Sequence, residues 1–88
     1  MFILFSCFFD LPQMKVEDKK IIILFGEKIR EIRINKKISQ EMLANDADIP
    51  INQVGRIERA EISTSLITII KISKALNIPL KELFDFEN

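Results

Sequence analysis

The sequence has no histidine, tyrosine or tryptophan, and it has one cysteine. Histidine is the side chain that most often serves as a general acid or base near neutral pH, and together with cysteine it supplies the usual zinc ligands. A single cysteine also excludes an intrachain disulfide. We therefore expect no metal site, and the cysteine content is compatible with the reducing cytoplasm.

Glycine is scarce as well, since Gly26 and Gly55 are the two that occur. They lie too far apart to form a glycine-rich loop that cradles a phosphate group. Nearly all carboxylates stand beside lysine or arginine, in patterns typical of solvated helix faces rather than of a pocket with perturbed groups. We expect neither an enzyme nor a bound cofactor.

Neither sign of charge is in excess, because Lys+Arg and Asp+Glu both total 13. A protein with zero formal net charge has no strong global field that attracts nucleic acid or anionic lipid, so any site for a polyanion must be local. The 88 residues, of which 48% are hydrophobic, are enough for one small domain with its own core.

The N-terminal segment Met1–Phe9 is almost wholly apolar. It is too short to span a bilayer, which takes about 20 residues, and no basic residue precedes it as in a signal peptide. Two interpretations remain open: translation starts at Met14 and the preceding residues are an extension, or the segment is an arm or strand buried against a partner subunit. We divide the chain into an N-terminal arm or extension, residues 1–18, and a domain over residues 19–88.

Helical periodicity begins at Lys19. Four apolar residues then recur at spacings of three, four and three, which predicts a first amphipathic helix ending near Asn35: Ile22, Phe25, Ile29 and Ile32. Ser39 can cap a second, short helix that runs to Asp46. Asp48 tolerates a left-handed backbone, so we expect a tight turn there.

Pro50 suits the first turn of a third helix, whose residues Val54 and Ile57 point inward. The hydroxyl cluster at residues 63–65 offers a cap for a fourth helix that ends at Asn77. Its apolar side is formed by Leu66, Ile69, Ile70, Ile72 and Leu76. Pro79 opens a last short helix, Leu80 to Phe84. No run after residue 10 alternates as a strand does, so we predict an all-α fold of five helices.

Two short helices joined by a turn of three or four residues describe a helix-turn-helix, but the same pattern describes other small bundles. Three segments stand at linked spacings: ISQEMLA at 38–44, VGRIER at 54–59 and LITIIKISKALNI at 66–78. In these segments the chain resembles the Xre/Cro-repressor helix-turn-helix family, over about residues 24–84. The resemblance implies a five-helix repressor-like DNA-binding domain.

The chain departs from the family pattern at several positions. Asp48 and Ala60 stand where the family commonly has glycine, and both are small or tolerant of a left-handed backbone. Pro50 replaces the usual Ser or Thr cap, and Thr64 replaces the usual proline before the fourth helix. Glu61 and its neighbour replace the basic residues that many relatives place beside DNA phosphates, which puts phosphate contacts there in doubt.

The resemblance also implies roles for single residues. Gln40, at the start of the second helix, matches the family's phosphate-clamping glutamine, and the free N–H groups of that helix end favour an anion. Arg33 and Glu58 match an ion pair that joins the first and third helices of the family. Such a pair would fix the angle at which the third helix stands away from the bundle.

The outer face of the third helix carries side chains suited to reading base edges. Asn52 can pair bidentately with adenine and Arg56 with guanine, and a spacing of four puts both on one face. Gln53 and Ile51 complete the predicted base contacts, although Ile51 could equally belong to the core. We predict phosphate contacts from Ser39, Gln40, Lys36, Lys37, Arg59 and Ser63.

We therefore expect sequence-specific binding to double-stranded DNA at a pseudo-palindromic operator by a cytoplasmic, homodimeric transcriptional regulator without membrane contact. The predicted dimer interface consists of Leu80, Leu83, Phe84 and Phe86, and Met1–Phe9 could pair with its copy as a two-stranded ribbon. The size resembles phage Cro-like proteins, restriction–modification controller proteins and antitoxins. An antitoxin would have a cognate toxin protein as a further partner.

A protein-interaction module of the same fold that has lost DNA binding is the alternative. Zero net charge and the acidic Glu61 favour it. The amide and guanidinium groups of Asn52, Gln53 and Arg56 count against it, because they are the groups that recognise base edges.

Overall fold

A computed structural model describes residues 15–86. It contains four α-helices and a final 3₁₀ helix: α1 (Val16–Asn35), α2 (Gln40–Ala47), α3 (Ile51–Glu58), α4 (Leu66–Leu76) and the 3₁₀ helix Leu80–Phe84. The described residues form no strand, and the expected all-α class is confirmed. None of their helices combines the length and apolarity needed to cross a membrane. The N-terminal segment Met1–Phe9, predicted as an arm or strand, lies outside the described residues.

Two elements differ from the sequence prediction. Helix α1 begins at Val16 rather than Lys19, so it includes polar residues that we assigned to the N-terminal arm. The fifth helix is a 3₁₀ helix, in which the N–H of Glu82 donates to the carbonyl of Pro79 at 3.0 Å. A helix of five residues is too short to be stable as an α-helix, and 3₁₀ bonding is common in such short pieces.

All four α-helices end in the same way without glycine. A residue with φ near +60° follows each helix: Lys37, Asp48, Ala60 and Asn77. The left-handed backbone predicted at Asp48 is confirmed, and Asn77, predicted to end the fourth helix, adopts it as well. The next N–H then donates back into the helix, as from Ile38 to the Arg33 carbonyl at 3.1 Å, which satisfies a carbonyl that the helix leaves free.

The residue after each left-handed position normally makes an apolar contact with the helix that has just ended. Ile38, Ile49 and Ile78 occupy this place after α1, α2 and α4, and each packs against the core. After α3 the residue is Glu61, which is exposed. The end of α3 is therefore the one helix end in the described chain that carries a charge at this place.

Serine hydroxyls start two of the helices. Ser39 Oγ accepts a hydrogen bond from the Met42 N–H at 3.0 Å, as its predicted role in capping requires. Ser65, from the hydroxyl cluster, accepts from the Thr68 N–H at 3.2 Å and starts α4. Pro50 starts α3 without a side-chain hydrogen bond.

The core lies where all the elements meet. Its buried apolar residues are Phe25, Ile29, Ile32, Leu43, Ala44, Ala47, Val54, Ile57, Ile72, Leu76 and Leu83. Helix α2 packs on α3 and α4, while α1 packs on α3 and on the 3₁₀ helix. Leu66, predicted on the inner side of α4, is 63% exposed, and the buried residues of α4 begin at Thr68.

Helices α1 and α3 approach closely at Gly26. A Cβ atom at this position would lie 2.4 Å from the Ile57 carbonyl oxygen and 3.0 Å from the Glu58 carbonyl oxygen. Both neighbours are helical backbone, which cannot move aside as a flexible side chain can. Gly26 therefore sets the distance between the first and third helices.

We predict that Gly26→Ala lowers the free energy of unfolding by about 1–3 kcal/mol, the usual cost of overpacking, although alanine favours a helix over glycine. Gly55→Ala is the matched control. Its Cβ would meet Arg59 Nη1 at 2.8 Å, the far end of a flexible side chain, so its stability should stay the same or rise by up to about 1 kcal/mol. Urea denaturation of both variants measures the difference, and equal midpoints would contradict the role given to Gly26.

Candidate nucleic-acid interface

A buried ion pair joins the first and third helices. Arg33 donates from Nε to Glu58 Oε2 at 2.7 Å and from Nη2 to Glu58 Oε1 at 3.1 Å. The Glu58 side chain is 2% exposed and that of Arg33 is 11% exposed. Arg33 Nη1 also donates to the Ile38 carbonyl at 2.9 Å. The structure thus brings together the two residues expected to pair, in the two-pronged geometry that a guanidinium allows.

The second helix is tied to the same carboxylate. Gln40 Nε2 donates to Glu58 Oε1 at 3.0 Å, so one carboxyl group connects α1, α2 and α3. Gln40 was predicted to contact phosphate, and its contact with Glu58 was not foreseen. This bond holds the Nε2 atom of Gln40 in place. The Oε1 atom of the same amide lies near Gly55, since a Cβ atom added to Gly55 would be 3.5 Å from it.

The predicted base-reading residues lie on the outer side of α3. Ile51 is 52% exposed and belongs to the surface, which decides between the two places left open for it. Asn52 is exposed, Gln53 is half-buried, and the Arg56 side chain is 43% exposed. The opposite side of the helix is buried in the core. The exposed side of α3 therefore presents an amide and a guanidinium one helical turn apart, which suits recognition of base edges.

The residues predicted to contact phosphate fall into two groups. Ser39, Lys36 and Lys37 lie exposed at the turn before α2 or at its start. The first N–H groups of α2 have no acceptor within the helix, which makes this end attractive to an anion. Arg59 and Ser63 lie exposed after α3, so the two groups stand on either side of α3 in the chain.

Arg59 already has an anionic partner within the protein. Its Nε donates to Glu61 Oε2 at 2.7 Å, and Glu61 Oε1 lies 3.8 Å from Arg56 Nε. The hydrogen bond from Arg59 lowers the pKa of the Glu61 carboxyl, and the same bond raises the pKa of Arg59. Both groups are therefore charged at neutral pH, and a carboxylate stands between the two arginines of this surface.

The residues predicted to form the dimer interface differ in burial. Leu83 is fully buried in the core of its own domain, so it is not available to a partner and its assignment to the interface is wrong. Phe86 is half-buried and packs against the core. Phe84 is 44% exposed and stacks on Phe25 at a centroid distance of 5.1 Å, and Leu80 is 37% exposed.

Comparison with known families assigns the fold. A family model described as helix-turn-helix matches residues 29–83, which is more than half of the chain. The chain belongs to the helix-turn-helix family. Among the relatives of this helix-turn-helix protein, the control protein C.BamHI of Bacillus amyloliquefaciens is 46% identical over 67 residues, which cover 75% of this chain and 83% of that protein.

Two further relatives have related names. The restriction-modification controller protein C.AhdI from Aeromonas hydrophila has a solved structure that superposes with a TM-score of 0.71 at 40% identity, covering 72% of this chain and 96% of that one. The transcriptional repressor RstR of the cryptic phage CTXphi in Vibrio cholerae is 32% identical over 60 residues, covering 68% of this chain and 54% of the repressor. These names describe regulators and no enzyme.

We predict that Glu58→Gln lowers the free energy of unfolding by about 3–5 kcal/mol, because it leaves the nearly buried Arg33 without an opposite charge. Glu31→Gln is the control: it breaks the pair between the exposed Glu31 and the half-buried Lys28, whose charged atoms are 3.7 Å apart. That loss should stay below about 1 kcal/mol. Chemical denaturation at neutral pH measures both, and an unchanged midpoint for Glu58→Gln would rule out the structural role of the pair.

Proposed function

We propose that this helix-turn-helix protein is a homodimeric, sequence-specific DNA-binding regulator of transcription, of the type that controls a restriction–modification system. The observation that carries the proposal is the outer side of α3, which presents Asn52, Gln53 and Arg56 away from the core. The similarity to a control protein and to a controller protein favours this type over the phage Cro-like and antitoxin types. As a regulator of genes it acts on double-stranded DNA in the cytoplasm.

Base readout is assigned to the outer side of α3. Asn52 forms two hydrogen bonds with adenine, and Arg56 forms two with guanine, when the helix enters the major groove. Gln53 lies beside them and can also bond adenine. Ile51, half-exposed at the start of the helix, can contact a thymine methyl group. These contacts supply the preference for one sequence.

Phosphate binding is assigned to the residues on either side of α3. Ser39 and Gln40 form the start of α2, where free N–H groups and the helix dipole favour an anion. Lys36 and Lys37 add two positive charges at the preceding turn, and Arg59 and Ser63 lie after α3. These groups hold the protein on the duplex without reading its sequence.

We predict that Arg56→Ala relaxes the preference at one base pair by about 1–3 kcal/mol, while Lys37→Ala weakens binding to all sequences alike. Sequences enriched from random duplexes by the unmodified protein provide the cognate probe. Gel-shift titrations of each variant on the enriched and on a random duplex then separate readout from general affinity.

The proposal fails if the unmodified protein binds random duplex neither tightly nor with the steep salt dependence of a phosphate-binding protein. That outcome would favour the alternative, a protein-interaction module. If Arg56→Ala leaves the enriched sequence unchanged, the protein binds DNA but its base-reading residues lie elsewhere.

Self-association is proposed because one helix-turn-helix reads only a few base pairs, and two copies can occupy half-sites about 34–36 Å apart. The later half of the domain exposes four large apolar side chains: Leu66, Ile67, Leu80 and Phe84. Helix α1 also exposes four, Val16, Ile21, Ile23 and Ile34, whereas α2 and α3 expose one each, Met42 and Ile51. An apolar surface of this kind is typical of a contact between copies.

We predict that the protein sediments as a dimer at tens of micromolar and that Leu80→Glu shifts it toward the monomer, because a charge would be buried at the contact. Met42→Glu places the same charge at a similarly exposed apolar residue on α2 and should leave the dimer intact. A monomer for the unmodified protein refutes the dimer. A dimer in both variants refutes the placement of the interface at Leu80.

A further inference from the structure

Glu61 is the acidic residue closest to the proposed base-reading arginine. Its carboxylate accepts two hydrogen bonds from Arg59, at 2.7 Å from Nε and 3.4 Å from Nη2. The same carboxylate lies 3.8 Å from Arg56 Nε. One negative charge is thus shared between the arginine assigned to a base and the arginine assigned to phosphate.

The turn after α3 determines this position. Ala60 has φ 60°, and the N–H of Glu61 then donates to the Arg56 carbonyl at 2.8 Å. The backbone therefore returns the chain to the last turn of α3, directly beside the two guanidinium groups. The other three α-helices place a core-packing isoleucine at the corresponding position. Glu61 makes no comparable contribution to the core, so its side chain is explained by the arginines that it contacts.

The contacts are of a kind that DNA can exchange. The side chains of Arg56, Arg59 and Glu61 are 43%, 58% and 48% exposed, so water and salt screen the pairs. A DNA phosphate is also an oxygen anion, and it would compete with the Glu61 carboxylate for the same guanidinium groups. Each arginine that turns to a phosphate must first leave Glu61.

We propose that Glu61 determines specificity in the DNA-binding surface by competing with phosphates for Arg56 and Arg59. The inference rests on the proposed DNA-binding function. On a non-cognate duplex both arginines can gain only phosphate contacts, so both must leave a carboxylate that then faces the DNA unpaired. On the cognate duplex Arg56 turns to a guanine, and Arg59 keeps its short hydrogen bond to Glu61. The phosphate contact assigned to Arg59 then belongs to the non-cognate complex, and the other phosphate-binding groups hold the protein on the cognate duplex. The carboxylate therefore weakens non-cognate binding more than cognate binding.

Arg56 and Arg59 contact Glu61 differently, which supports the release of Arg56 and the retention of Arg59 on the cognate duplex. Arg59 holds Glu61 through two hydrogen bonds, whereas Arg56 lies at 3.8 Å, beyond hydrogen-bond distance. Arg56 can leave without loss of a hydrogen bond, and Arg59 cannot. A negative charge at this place thus leaves the base-reading arginine available and restrains the phosphate-binding one.

The test compares Glu61→Gln with the unmodified protein. The probes are a random-sequence duplex and the duplex that the unmodified protein enriches from a random pool, titrated between 50 and 200 mM salt. We expect Glu61→Gln to bind the random duplex roughly 3- to 10-fold more tightly at 50 mM salt and the enriched duplex less than about 2-fold more tightly.

Glu82→Gln is the matched control. It removes one negative charge from an exposed position of the 3₁₀ helix, whose main contacts are with α1 and α4. The change in net charge is the same, so a general electrostatic effect would appear in both variants. We expect Glu82→Gln to change binding to either duplex by less than about 2-fold, and a denaturation midpoint for each variant confirms that the fold is kept.

Three results would overturn the inference. The first is equal tightening of both duplexes by Glu61→Gln, and the second is equal behaviour of Glu61→Gln and Glu82→Gln. The third is a Glu61→Gln variant that binds both duplexes as the unmodified protein does. In each case the unmodified protein still enriches a sequence, so the DNA-binding function stands. If it enriches no sequence and does not bind the random duplex, the proposed function itself has failed.

Discussion

The carboxylate of Glu58 is the group on which the arrangement of the first three helices depends. It accepts two hydrogen bonds from Arg33 on α1 and one from Gln40 on α2, although it belongs to α3. A buried carboxylate is costly unless it is fully paired, and here three donors from two other helices supply the pairing. Any rotation of α3 that separated Glu58 from these donors would leave its buried carboxylate without an opposite charge or a hydrogen-bond donor.

This constraint matters because α3 is short. Of its eight residues, two have buried apolar side chains, Val54 and Ile57. These two side chains provide little apolar contact for a helix whose outer side is proposed to enter a DNA groove. The close approach of Gly26 to the carbonyls of Ile57 and Glu58 sets its distance from α1. Apolar packing, backbone contact and the ion pair together define the distance and the angle of α3. Apolar packing alone is less directional.

The electrostatics of the surface is local rather than global. The chain carries equal numbers of acidic and basic residues, so its net charge does not attract DNA. On the proposed DNA-binding surface the positive groups lie at two places, before α2 and at the end of α3. At the second place Glu61 offsets Arg56 and Arg59. Such an arrangement favours contacts that depend on orientation over attraction to any phosphate backbone.

The sequence by itself determined the local structure of this protein. Apolar spacing identified α1, and the capping of α2 by Ser39 and the left-handed turns at Asp48 and Asn77 follow from residues within one or two turns of each helix end. Resemblance to a family added Arg33 and Glu58, because their spacing along the chain repeats in the Xre/Cro-type pattern. These features depend on neighbours in sequence or on a pattern of positions, and a sequence contains both.

The tertiary structure alone decided which residues from different helices meet. The hydrogen bond from Gln40 to Glu58, the contact of Gly26 with the α3 backbone and the burial of Leu83 all depend on how the helices cross. Leu80 and Leu83 have the same chemistry and, three residues apart in a 3₁₀ helix, lie on the same side of it. One is nevertheless in the core and the other is exposed, so the packing of this helix against α1 and α4 decides which of them is covered. The distance and angle between packed helices are collective results of many contacts, so no local pattern in the sequence specifies them.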